Sequence, residues 1–90
     1  MARIRRLVLD VLKPHHPNAL TFAASLADLA ADCRVKLTVL EVDEKTETTS
    51  LVLEGQDIQF DLIVEAIERM GASMHSIDEV EVDSSPAQSG

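Results

Sequence analysis

Apolar residues fall in separated runs along the chain, and the spacing inside each run predicts an element. Residues 4–13 hold Leu7, Val8, Leu9, Val11 and Leu12 and stop at Pro14, which reads as a strand. Phe22, Leu26, Leu29 and Cys33 then recur at helical spacing, with Ala19, Ala23 and Ala30 beside them. Pro17 stands where a helix accepts a first-turn proline, so the helix is predicted over 17–32. Residues 35–42 and 48–54 read as two more strands, joined into a hairpin by the polar turn Asp43-Glu44-Lys45-Thr46. Ile58, Phe60, Ile63, Val64, Ile67 and Met70 step along one face of a second helix, with Asp61, Glu65 and Glu68 outside and Gly71 suited to end it. Residues 72–82 form the last strand.

The order β-α-β-β-α-β predicts a ferredoxin-like α+β sandwich. Right-handed crossovers place two helices on one face of a four-stranded antiparallel sheet, with the first and third strands central. One domain spans 1–82, and the Ser-, Pro- and Gly-containing segment 83–90 is expected to be a disordered tail. Arg3, Arg5 and Arg6 open the first strand, and Glu79, Glu81 and Asp83 close the last. Antiparallel pairing sets these opposite charges against each other.

Alternation adds a constraint. The first strand presents Leu7, Leu9 and Val11 to one side and Ile4, Val8 and Leu12 to the other. The third divides Leu51 and Leu53 from Val52, and the second mixes Val35, Leu37 and Val39 with Leu40 and Val42. A two-layer sandwich hides only one face. The second is expected to be covered by further copies of the chain, giving a homo-oligomer for which a closed ring is one arrangement.

The segment Ile4-Arg5-Arg6-Leu7-Val8-Leu9-Asp10-Val11-Leu12-Lys13-Pro14-His15 resembles the opening of the domain of unknown function 211 family, known mainly from archaea. The closing stretch His75-Ser76-Ile77-Asp78-Glu79-Val80, the acidic hairpin and Glu54-Gly55 are similar to it as well, so the resemblance covers about residues 3–82. It implies a ferredoxin-like fold and a homo-oligomer, and no established activity. His16 departs from it, where an acidic residue is expected, and so does Gln59, where Asp or Asn would cap the helix.

Charge narrows the function classes. Asp and Glu number 16 against 8 Lys and Arg, a net charge of −8 that repels nucleic-acid backbones and anionic membranes. RNA-recognition motifs share this topology but stack bases on strand aromatics. Here Leu51, Val52 and Leu53 stand on the third strand, and the chain has two Phe and neither Tyr nor Trp. The apolar run 7–12 is too short for a membrane span. The lone Cys33 can form no disulfide within the chain, which suits a reducing, cytoplasmic setting.

Candidate chemistry is sparse, with no Cys-x-x-Cys, His-Glu-x-x-His or glycine-rich phosphate loop. Lys13, His15 and His16 end the first strand, Ser73 and His75 begin the last, and Glu54 ends the third. All are expected at one edge where both helices start. Lys13, His15 and His75 are candidates for holding a small anion or acidic metabolite there. Asp10, Asp78 and Glu79 are candidate ligands for calcium or magnesium, with Asp10 or Asp78 also open to partnership with His75. The competing readings are structural. The loop histidines are solvated, Asp10 lies on an outer face, and Asp78 and Glu79 sit at a bulge or partner the N-terminal arginines. A binding or regulatory module without catalysis leads. The alternative is a metal-dependent or acid–base enzyme, which needs Asp10 and His75 within about 3 Å of each other or of one common atom.

Overall fold

The computed structural model describes residues 1–84. The centre of the sheet is β1 (Ala2–Pro14), whose neighbours are β3 (Thr46–Glu54) and β4 (Ser73–Ser84). At the far side of β3 lies β2 (Arg34–Val42), so the order is β2-β3-β1-β4 with every pairing antiparallel. The crossovers are α1 (Ala19–Ala27) and α2 (Phe60–Arg69). This is the ferredoxin-like α+β sandwich that the element order predicts. The last strand takes up Asp83 and Ser84, which were expected in the tail, while 85–90 lie outside the described residues.

Local chemistry fixes where the helices begin and end. α1 starts two residues later than its proline suggests, because the Asn18 side chain caps it by accepting from the Thr21 amide at 2.9 Å. Pro17 stays outside. The same helix stops at Ala27, well short of residue 32. Its last turn has no basic residue, and Asp28 sets a carboxylate at the negative end of the helix dipole. In α2 the charges are favourable, with Asp61 in the first turn and Arg69 in the last. Gln59 makes no side-chain capping bond there, as its departure from Asp or Asn implied. Gly71 follows the helix at φ 84°, the left-handed conformation that glycine adopts without strain.

The helices do not start at one end of the sheet. β1 runs toward Pro14, and α1 begins there. Arg6 lies opposite Glu54, so β3 ends beside the start of β1, and α2 begins at that opposite end. The hairpin between β2 and β3 reverses the chain once more, which separates Glu54 from the histidines expected beside it.

Leu7, Leu9 and Val11 of β1 and Leu51 and Leu53 of β3 point at the helices and meet Phe22, Leu26, Ile63 and Ile67 in a dry core. Helices of 9 and 10 residues reach only about 14–15 Å, whereas strands of 9–13 residues run about 30–43 Å. The connections complete the roof. Ile58 and Ala72 are buried in the same cluster, and the amides of Gly55 and Ile58 donate to the carbonyls of Arg5 and Ile4 at 3.0 and 2.9 Å.

Four irregularities in the ladders decide which face each residue takes. Extra residues fall at Arg5 on β1, His75 and Asp78 on β4, and Leu40 on β2. Each flips the alternation beyond it. Ile4 thereby packs against the core rather than on the open face where simple alternation puts it. Val42, opposite Glu47, lies on the helix side as well. The open face accordingly keeps Val8, Leu12 and Val52 as scattered half-buried apolar residues among Arg6, Asp10, Lys36, Thr48, Ser50 and Glu54. It is not the continuous oily surface that the pattern suggests.

Leu9 is fully enclosed at the middle of this core. Leu9→Ala is expected to cost about 2–5 kcal/mol of unfolding free energy, read as a lower urea midpoint at unchanged slope.

Candidate functional site

At the Pro14 end, alternation along β1 carries Lys13 inward, into line with Leu7, Leu9 and Val11, and it is 0% exposed. Its ammonium donates to the Pro14 carbonyl at 2.8 Å and to Glu47 Oε1 at 3.1 Å, and it lies 5.9 Å from the centroid of the Phe22 ring. Glu47 stands opposite Lys13 in register. Its other oxygen faces His15 Nδ1 at 3.0 Å, while His15 Nε2 lies 3.1 Å from the Glu44 carbonyl. Both ring nitrogens therefore face acceptors, an arrangement that only the imidazolium satisfies fully. The Glu47 and Glu44 hydrogen bonds hold the His15 pKa above its ordinary value. His15 and Lys13 in turn hold Glu47 below the usual carboxylate range. The three side chains tie the end of β1 to the β2–β3 hairpin. Lys13 is thus enclosed and committed to Glu47, not presented to solvent.

The other candidates stand apart from this knot, Asp10 half-buried and His16, His75, Asp78 and Glu79 exposed. His75 is the extra residue of a bulge on β4, and His16 lies in the connection after β1; both are solvent-exposed. Asp10 is on the open face opposite Ser50 and Ser76, and no hydrogen bond joins it to His75 among the described residues. A bulge does fall at Asp78, and Asp78 accepts from Ser76 Oγ at 2.7 Å. Glu79 accepts from Arg6 Nε. Among the described residues no three His, Cys, Asp or Glu side chains form a group that could hold a metal ion. One chain therefore does not gather Asp10, Asp78 and Glu79 into a ligand set. Cys33 is half-buried, and burial pushes its thiol pKa up, away from nucleophilic use.

The sequence reading missed a cavity at the opposite end of the open face. It measures about 260 Å³ and is lined by Arg6, Arg34, Lys36, Val52 and Glu54. Register builds it: Arg34 and Arg6 flank Glu54 from either side, and Lys36 lies opposite Val52. Arg6 donates to Glu54 Oε2 at 2.6 Å and also to Glu79, and these bonds raise its pKa above the ordinary arginine value. Arg34 and Lys36 have no hydrogen-bond or ion-pair partner among the described residues. The available signal was the alternation Arg34-Val35-Lys36-Leu37, which puts two cations on one face of an edge strand.

No described helix is long and apolar enough to cross a membrane. The family profile described as DUF211, Uncharacterized ArCR, matches residues 5–85. An uncharacterised protein of Methanocaldococcus jannaschii, MJ0319, is 46% identical over 80 residues, which cover 89% of this chain and 82% of that one.

Two outcomes follow from the Lys13–Glu47–His15 knot. Glu47→Ala leaves a buried ammonium without its carboxylate and is expected to cost about 3 kcal/mol in denaturant titration. A histidine with a raised folded pKa contributes fully below its unfolded value near 6.5 and loses that contribution as pH rises through the folded pKa. Glu47, depressed below its ordinary 4.5, contributes above that value and loses it as pH falls through the folded pKa. The knot should be strongest between these limits. His15→Gln should abolish the loss of stability on the alkaline side and, because His15 also holds the Glu47 pKa down, weaken the acid limb without removing the part that Lys13 sustains.

Proposed function

The chain belongs to the DUF211 family, and we propose that it works as a homo-oligomeric binding module without catalysis. The observation that carries this reading is a row of apolar residues on the helix side of β4. Leu7 and Leu9 are 1% and 0% exposed, yet their cross-strand neighbours Val80 and Ile77 are 55% and 49% exposed. Val82, opposite Ile4, is 50% exposed. The roof that dries β1 stops short of its neighbour.

A second copy laid against this edge would recover about 1 kcal/mol for each half-exposed side chain, and would pair the outer backbone of an edge strand. Residues at both edges point the same way, since Val39 and Val42 on β2 are also exposed on the helix side. On the binding side, the support is the cation-lined cavity in a chain of net charge −8. Asp10 and His75, the pair on which an enzymatic reading depends, are not joined within the chain.

Sedimentation equilibrium tests the assembly. The wild-type chain is expected to sediment at a multiple of 9.8 kDa. Ile77→Asp combined with Val80→Asp should sediment as the monomer with an unchanged far-UV spectrum. A wild-type chain that stays folded and monomeric at high protein concentration would refute the reading.

A further inference from the structure

Three of the chain's eight Lys and Arg residues converge on the cavity of the open face, although the protein as a whole is strongly acidic. The lining holds three cations and one carboxylate, a local charge of +2, and the nearby Glu79 reduces this to +1. The cations have different standing. Arg6 is neutralised from two sides by Glu54 and Glu79. Arg34 and Lys36 are held two residues apart on one strand, exposed and without partners among the described residues.

We propose that this cavity binds a small anionic molecule, a carboxylate or phosphate ester on a short carbon skeleton, through Arg34 and Lys36. The inference rests on the reading of the chain as a binding module but not on its assembly. The Arg34 guanidinium offers a planar fork of donors to two oxygens of one anionic group. The Lys36 ammonium adds a point charge from the next outward position of β2. Val52, opposite Lys36, supplies the apolar floor for the carbon skeleton. The Arg6–Glu54 pair, joined at 2.6 Å, closes one wall. Size limits the ligand: about 260 Å³ is below the usual range for drug-sized pockets, roughly 300–1,000 Å³. Extended polyanions have no continuous basic track to follow on a surface where Glu54 and Glu79 flank the cations.

Isothermal titration calorimetry of the intact chain with glycerol phosphate, succinate and inorganic phosphate tests this, with Arg34→Ala/Lys36→Ala as the site variant and Lys45→Ala, in the distant hairpin turn, as the charge control. At least one of the two organic anions is expected to bind more tightly than inorganic phosphate, which has no skeleton for Val52. The site variant should lose about tenfold or more in affinity, the equivalent of one charge-assisted hydrogen bond. Lys45→Ala should leave affinity within about twofold, the scale of a weak screened charge effect. The preferred organic anion separates the phosphate source from the carboxylate source. Absence of binding by all three anions overturns the proposal, as does equal weakening by the site variant and Lys45→Ala. Sedimentation of the same samples keeps the two readings apart. An oligomer that binds no anion refutes this site alone, and a monomer that binds one refutes the assembly alone. If no anion binds and the site variant dissociates the oligomer, the proposal is overturned and the two cations belong to the assembly.

Discussion

A helix advances less than half as far per residue as a strand, and this difference governs where the protein is dry. Two helices of 9 and 10 residues face strands of up to 13. They and their connections roof the middle of the two central strands, which is why Leu7, Leu9, Val11, Leu51 and Leu53 are enclosed. The edge strands receive what remains. Met74 at the start of β4 still packs against the core, but Ile77, Val80 and Val82 farther along are left half open. The chain's apolar surplus therefore lies beside the helices at the sheet's edges, not on its back.

The opposite face of the sheet has a different economy. Its apolar residues are scattered, and its charges are arranged in rows across the strands: Arg34, Glu54 and Arg6 form one, continuing to Glu81 on β4. In this row the charges of the inner strands, Arg6 and Glu54, are matched inside the chain. Those of β2 have no strand beyond them and remain available, so topology alone concentrates unpaired positive charge at one edge. The Pro14 end shows the contrary case. There the buried Lys13 meets Glu47, whose other oxygen faces His15 in the same chain, and this closes the site that its residue types suggested.

The fold was legible because its elements are long and locally consistent: β-branched runs ended by proline or a polar turn, and apolar residues at helical spacing, ended in α2 by glycine. Pairing of the N-terminal arginines with the late acidic residues was legible too, and Arg5–Asp83 and Arg6–Glu79 bear it out. Facing was not. Arg5, Leu40, His75 and Asp78 each insert a residue into a ladder, and an inserted residue has no signature that distinguishes it from its neighbours. Ile4 and Val42 changed sides for that reason. The end-to-end placement of Glu54 failed differently, since counting strand directions through the hairpin would have put it away from the histidines. Lys13 looked accessible because a charged residue usually is; its burial depends on Glu47, which is distant in sequence.

The central claim is that the outer half of β4 is finished only by contact with another copy. Amide hydrogen exchange, followed at the residues 77–84 over a wide range of protein concentration, tests it most directly. The account requires protection there to rise with concentration while the amides of β1 and β3 stay slow throughout. Equal exchange along β4 at every concentration would contradict it.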